Sequence, residues 1–155
     1  MRSAREAILK GAIKLFSEKG YSGSSIREIC QAAGVTKPVI YYHFRNKEHL
    51  YHELMLDIFN QTRKNLLRLS NFRGSVRELL ISYVAAEFRN SRKNPENVRL
   101  LFRMMFSPEG EYPDFNFVEE LKRDRAMLAD IIRKHQGEGS CRDPELVSTA
   151  LMGMM

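Results

Sequence analysis

Residues 36–50 read TKPVIYYHFRNKEHL, so Tyr41, Tyr42, His43 and Phe44 follow one another just behind Pro38, with Lys37, Arg45 and Lys47 around them. A core helix does not take Tyr41, Tyr42 and His43 side by side, because three buried polar tips need three partners. A plainly solvated face has no use for the rings. At about 100° per residue, Ile40 and Phe44 share one stripe of a short helix and Pro38 and Tyr42 lie nearly opposite. Lys37 with Tyr41 occupies one flank, and Val39 with His43 the other. The spacing therefore predicts a helix that buries Ile40 and Phe44 and turns most of its rings outward.

The upstream sequence explains what such a helix is for. Residues 3–19 place Ile8, Ala12, Leu15 and Phe16 on one helical face, and Gly20 supplies the stop. Ser25 and Glu28 have capping-box spacing, opening a second helix that is expected to bury Ile26, Ile29, Cys30 and Ala33. Gly34 ends it, Thr36 is placed to cap the next helix, and Pro38 falls in that helix's first turn, where a missing N–H costs little. Arg45–Asn46 break the short helix, and Asn46 is placed to cap a long one running to about Leu69. Two helices joined by AAGVT, the second of them short, match a helix-turn-helix. On its outward face, tyrosine and histidine tips can hydrogen-bond phosphates, and Val39 or a ring edge can touch a thymine methyl. Lys47, in the first turn of the long helix, meets a phosphate with both charge and free backbone N–H groups.

Charge points the same way. Of 25 Lys/Arg and 19 Asp/Glu in 155 residues, nine basic and three acidic residues fall in positions 1–47, leaving 16 of each beyond. The whole net charge of +6 thus sits on the first third, a basic segment suited to a polyanion joined to a neutral one. No run approaches the ~18 apolar residues of a membrane span. The first twenty residues carry charge throughout, unlike a secretory signal. Two distant cysteines, Cys30 and Cys141, fit a reducing, cytoplasmic setting, with Cys30 read as a buried hydrophobe and Cys141 as an unactivated loop thiol. There is no phosphate loop, nucleophile motif or close carboxylate pair to suggest an enzyme.

The stretch AREAILKGAIKLFSEKGYSGSSIREICQAAGVTKPVIYYHFRNKEHLYHELM resembles the DNA-binding domain of tetracycline-repressor (TetR) family regulators. The resemblance is carried by A…LF…KGY in the first helix, SIREICQAAGV in the second, and YYHFRNKEHL at the junction of the third and fourth. It implies an all-α protein: a three-helix helix-turn-helix head over residues 1–46, and a helical ligand-binding and dimerisation domain over 47–155. It also implies a homodimer on a palindromic double-stranded DNA operator, released by a small-molecule effector, with no cofactor. DNA contacts are implied at Ser25, Arg27, Thr36, Lys37, Pro38, Val39, Tyr41, Tyr42, His43 and Lys47. Lys37, Pro38 and Val39 would read bases, and the others would mainly position the backbone; Tyr41 has packing against the head's own core as its competing role. A ligand-independent architectural or nucleoid factor with the same head is the alternative.

Beyond the head the pattern stays helical. SVRELLISYVAAEF sets Val76, Leu79, Leu80, Tyr83, Val84 and Phe88 on a broad apolar stripe. Asn94–Pro95 starts another helix; a loop holding Pro108, Gly110 and Pro113 leads to FVEELKRDRAMLADIIRKH; and GEGSCRD precedes a last apolar helix from Pro144. Phe102, Met105, Phe106, Phe117, Leu121 and Met127 are the expected lining of a mostly apolar ligand site, against ordinary core packing as the plainer reading. The long helix is the expected transmitter, its later turns (Leu54, Ile58, Leu66) packing on the second domain. The sequence stops at Met155 inside an apolar helix, where family members usually continue with one more, so the last helix or helices are expected to be incomplete. His49 and His52, beside Glu48 and Glu53, have workable spacing for a helical metal site but need ligands from elsewhere. Solvated or hydrogen-bonded histidines are the reading adopted, with no metal.

Overall fold

Ser3 opens helix α1 (Ala4–Lys19) through a complete capping box. The Glu6 amide donates to Ser3 Oγ at 3.2 Å, and the Glu6 carboxylate accepts from the Ser3 amide at 3.3 Å. Ile8, Ala12, Leu15 and Phe16 are all buried, as their spacing requires. Gly20 closes the helix at φ 78°, a conformation that favours glycine. The computed structural model describes residues 3–108, 110–135 and 141–153, and these contain helices and no strand. In order they are α1, α2 (Ile26–Ala33), α3 (Lys37–His43), α4 (Lys47–Leu69), α5 (Val76–Lys93), α6 (Pro95–Met105), α7 (Phe117–Lys134) and α8 (Pro144–Gly153). None is long and apolar enough to cross a membrane.

The chain forms two compact units, Met1–Ile58 with Lys93–Phe115, and Phe59–Arg92 with Asn116–Met155. In the first, α1 packs on α2, α3 and α6. Its core joins Ile8, Phe16, Ile29, Ile40, Phe44, Leu50, Tyr51, Met55 and Leu100, each fully buried or nearly so. The α1–α2 crossing is close because position 11 is glycine. A Cβ there would stand 3.3 Å from both the Ala32 methyl and the Ala33 backbone nitrogen. Gly23 is more constrained still, since a Cβ would lie 2.4 Å from the Lys19 carbonyl oxygen.

The second unit is built on Leu66, Leu69, Val76, Leu79, Tyr83, Leu128, Ile131 and Ile132. Arg63 reaches into it, its Nε donating to Asp124 Oδ1 at 2.7 Å and its Nη2 to Glu120 Oε2; both carboxylates are buried. Asn65 donates to the Glu87 carboxylate at 3.3 Å, and burial pushes that carboxyl upward, with the nearby Asp124 adding to the effect. At the far end of α7 the His135 ring nitrogens lie 2.8 Å from the Ile131 carbonyl oxygen and 2.7 Å from that of Phe72. Arg133 pairs with Glu145, joining α7 to α8.

Several expectations need correction. Phe88, on the predicted apolar stripe of α5, is exposed because the buried side narrows to Val76, Leu79 and Tyr83. Leu54 and Ile58 fall in the first compact unit, which also holds residues 93–115 of the expected second domain, and Leu66 falls in the core of the second unit. Ile26 and Ala33 are half-buried, at the edge of the α2 face that Ile29 and Cys30 seal. Cys141 lies outside the helices, as expected, and packs half-buried against the second core.

Candidate nucleic-acid interface

Helix α3 is held by its ends and its inner stripe. Ser25 caps α2 with Glu28, and Gly34 (φ 65°) turns the chain so that the Val35 amide donates back to Cys30 at 3.0 Å. Thr36 stands at the N-cap of α3, but its side chain makes no capping bond; its carbonyl accepts from Val39 and Ile40 instead. Within the helix Ile40 is sealed, and Phe44 ends it, its amide donating to Ile40 at 2.7 Å. The Arg5 guanidinium lies 5.7 Å from the Phe44 ring centre and pairs with Glu53 at 2.6 Å, linking α1 to the start of α4.

The opposite side is open. Lys37, Pro38 and Tyr42 are exposed, Tyr42 at 85%, with Tyr41 at 51% on the flank. About half of Tyr41 faces water. Val39 and His43 are half-buried, and the His43 ring meets Tyr42 edge-on at 5.1 Å. Arg27, Thr36 and Arg45 are exposed nearby. Ser25 is exposed too, yet its hydroxyl is already engaged, accepting from the Glu28 amide at 3.2 Å and donating to the Glu28 carboxylate at 2.8 Å. What it can still offer a phosphate is limited by that cap.

Lys47 is held in a way its sequence position does not reveal. Asn46 caps α4, accepting from the His49 amide at 2.7 Å, and Lys47 Nζ lies 4.1 Å from the centre of the Tyr21 ring. Burial pushes the Lys47 ammonium below its ordinary value and Glu28 opposes this. Tyr21 is left unassigned by reasoning on the helix-turn-helix; the KGY motif contains it, but only the fold brings it under Lys47. Not all the basic surplus stays available. Lys19 is paired with Glu28 at 2.7 Å, and hydrogen bonds from Lys19 and Ser25 hold the Glu28 carboxyl down to about 2.

The expected ligand-lining side chains fall in both units. In the first, the Phe102 and Phe106 rings stack at 6.2 Å, and both are exposed along with Met105. In the second, Phe117 meets Phe59 edge-on at 5.5 Å, Met127 packs against the core, and Leu121 is exposed. An open apolar groove of the second unit runs instead along α5 and α8, lined by Leu80, Ile81, Val84, Ala85, Phe88 and Leu151. His49 faces the Phe44 ring, and His52 the rings of Tyr51 and Phe115. Among the described residues no three His, Cys, Asp or Glu side chains group as metal ligands.

Residues 8–54 match the family model described as bacterial regulatory proteins, tetR family. The HTH-type transcriptional regulator AcrR of Shigella flexneri is 34% identical over 97% of this chain and 70% of its own. The HTH-type transcriptional repressor KstR2 of Mycolicibacterium smegmatis is 26% identical over 93% of this chain and 70% of its own. Among solved structures, the fatty acid degradation regulator FadR from Bacillus halodurans superposes with a TM-score of 0.79 at 20% identity, covering 99% of this chain and 81% of that one, a likeness of fold. Helix-turn-helix geometry, family model and relatives agree: this chain belongs to the TetR family of DNA-binding transcriptional regulators.

Proposed function

We propose that the protein is a repressor that binds a palindromic operator in the major groove through α3, as a homodimer in the cytoplasm, and is released by a small, mostly apolar effector. The observation that carries this reading is the division of α3, with Ile40 and Phe44 sealed in the core and Tyr42 85% exposed on the other side. Lys37, Pro38 and Val39 read base edges; Ser25, Arg27, Thr36, Tyr41, Tyr42, His43 and Lys47 mainly fix the duplex backbone. Residues 1–46 carry the DNA-reading role, and residues 47–155 supply pairing and effector response. One head makes few base contacts, so useful specificity calls for two heads on half-sites one helical turn, ~34–36 Å, apart. The apolar segment from Leu146 is the surface proposed for pairing, with Leu146 itself exposed.

Release requires the effector to bind the DNA-free state more tightly than the DNA-bound one; a coupling of roughly 1–3 kcal/mol is typical. Phe102, Met105, Phe106, Phe117, Leu121 and Met127 are the positions to substitute first in locating it. Selection from a random duplex pool, followed by competition with an apolar compound library, tests the whole reading. A pseudo-palindrome with half-sites ~10–10.5 base pairs apart, displaced by at least one compound, is expected. Sequence-indifferent binding that no compound alters would establish the architectural alternative.

A further inference from the structure

Arg103, Glu111 and Tyr112 lie sixty or more positions beyond the helix-turn-helix, yet they belong to the same compact unit and meet the end of α1 and the α1–α2 turn at three points. Arg103 Nη1 donates to the Glu18 carbonyl at 2.9 Å. Ser22 Oγ donates to the Glu111 carbonyl at 3.1 Å. The Tyr112 ring stands 6.4 Å from Tyr21 and 5.8 Å from the fully buried Tyr51, which itself meets Tyr21 edge-on at 5.5 Å. The space is filled: a Cβ on Gly20 would come within 3.5 Å of Glu111, Arg103 and Tyr112 at once. Tyr21 is therefore packed among three rings, those of Phe16 (5.6 Å), Tyr51 and Tyr112, and covered by the Lys47 ammonium at 4.1 Å.

We propose that Tyr112 and Arg103 are positioning residues for DNA binding: they fix the α1–α2 turn and the Tyr21 ring, which in turn holds the Lys47 ammonium where a backbone phosphate is met. The inference rests on the reading of α3 and Lys47 as the DNA-facing surface. An ammonium on a four-carbon stem has many rotamers, and ordering it beforehand removes an entropic cost that binding would otherwise carry. The Tyr21 ring takes one side of the ammonium and leaves other N–H donors for an anion. Arg103 and Ser22 hold the backbone on which that ring stands, and Tyr112 limits how far the ring can tilt.

The test is a thermodynamic cycle on a selected duplex, using the full chain and affinities measured across salt concentrations. Lys47→Ala removes a charge and should lower the salt slope by about 1. Tyr112→Leu removes no charge, yet it should weaken binding roughly three- to tenfold and lower the slope part of the way towards that of Lys47→Ala. Combined with Lys47→Ala it should add almost nothing, because both act through one contact. Tyr112→Phe, which keeps the ring, should bind as the parent does. Arg103→Gln, at an exposed position, carries the same test should Tyr112→Leu fail to fold by far-UV circular dichroism, and its effect should likewise vanish on the Lys47→Ala background. An additive loss, or unchanged affinity and slope in Tyr112→Leu or Arg103→Gln while Lys47→Ala is impaired, overturns the positioning role and leaves the DNA-facing surface intact. Unimpaired Lys47→Ala and Lys37→Ala would instead overturn the surface itself.

Discussion

The Lys47 ammonium stands 4.1 Å above the Tyr21 ring, joining the first turn of α4 to the turn between α1 and α2. Neither residue is in α3, but together with the Arg5–Glu53 pair at 2.6 Å they bracket the elements on either side of it. On the proposed reading, these contacts hold the elements that present the exposed face of α3, and such preorganisation would lower the ordering cost of recognition.

The two faces of α3 should respond oppositely to truncation. Ile40→Ala empties a fully buried site and is expected to destabilise the protein by about 2–5 kcal/mol. Tyr42→Ala removes a side chain that touches little of the core, so its melting temperature should stay close to the parent's while duplex affinity falls. Thermal melts paired with binding titrations read both, and a large loss of stability in Tyr42→Ala would mean that α3 is turned the other way.

Gly34 has room for a methyl group but sits at φ 65°, so the cost of substitution is conformational rather than steric. Gly34→Ala should destabilise by about 1 kcal/mol. Gly23→Ala should cost more, because its Cβ would lie 2.4 Å from the Lys19 carbonyl and the turn beneath Tyr21 would have to move. Urea titrations that rank the two in reverse would contradict this placement of strain.

The acid response of the head should centre on Glu28. Its carboxyl is lowered from the ordinary 4.5 to about 2, chiefly by the hydrogen bond from Lys19, then by Ser25. The folded value is depressed, so the stabilisation it reports is complete above about 4.5 and disappears as pH falls from there towards 2. Glu28→Gln should therefore narrow the stability difference between pH 5 and pH 2–3 seen in the parent. A Glu28 carboxyl resonance titrating near its ordinary value would show that the pair with Lys19 does not hold in solution.

In the second unit, Arg63 is the counter-charge for two buried acids, Glu120 and Asp124. Arg63→Leu should cost about 3–5 kcal/mol, chiefly by leaving the buried Asp124 carboxylate without a counter-charge. Arg63→Leu with Asp124→Leu should recover part of that loss, since Glu120 retains Arg123 at 3.2 Å. Chemical denaturation distinguishes this from a surface pair, for which both variants would lie within about 1 kcal/mol of the parent.

The sequence made some of these features plain and concealed others for identifiable reasons. The capping box at Ser25, the Gly20 and Gly34 stops, and the inward pair Ile40 and Phe44 are set within one or two helical turns, so spacing alone specifies them; the box at Ser3 has the same spacing but went unread. Thr36 had the right residue type for a cap, but two amides of α3 are served by its carbonyl and its hydroxyl makes no cap bond. The ring beneath Lys47, the clamp from Arg103 to Glu18, and the Arg63 pairs join residues 26 to 85 positions apart. No local periodicity encodes such pairs, because their partners are chosen by how helices cross. The same cause hid the membership of residues 93–115 in the first unit.

The most direct measurement of the central claim is fluorescence-anisotropy titration of a selected duplex, and of single-base variants of it, with the parent, Lys37→Ala and Lys47→Ala across a range of salt concentrations. If the outward face of α3 reads DNA, Lys47→Ala weakens all duplexes alike and lowers the salt slope by about 1, whereas Lys37→Ala changes the order of preference among the variants, by about 1–3 kcal/mol at the base it reads. Parent-like affinity, salt slope and sequence preference in both substitutions would contradict the assignment of α3 and Lys47 to the DNA-facing surface.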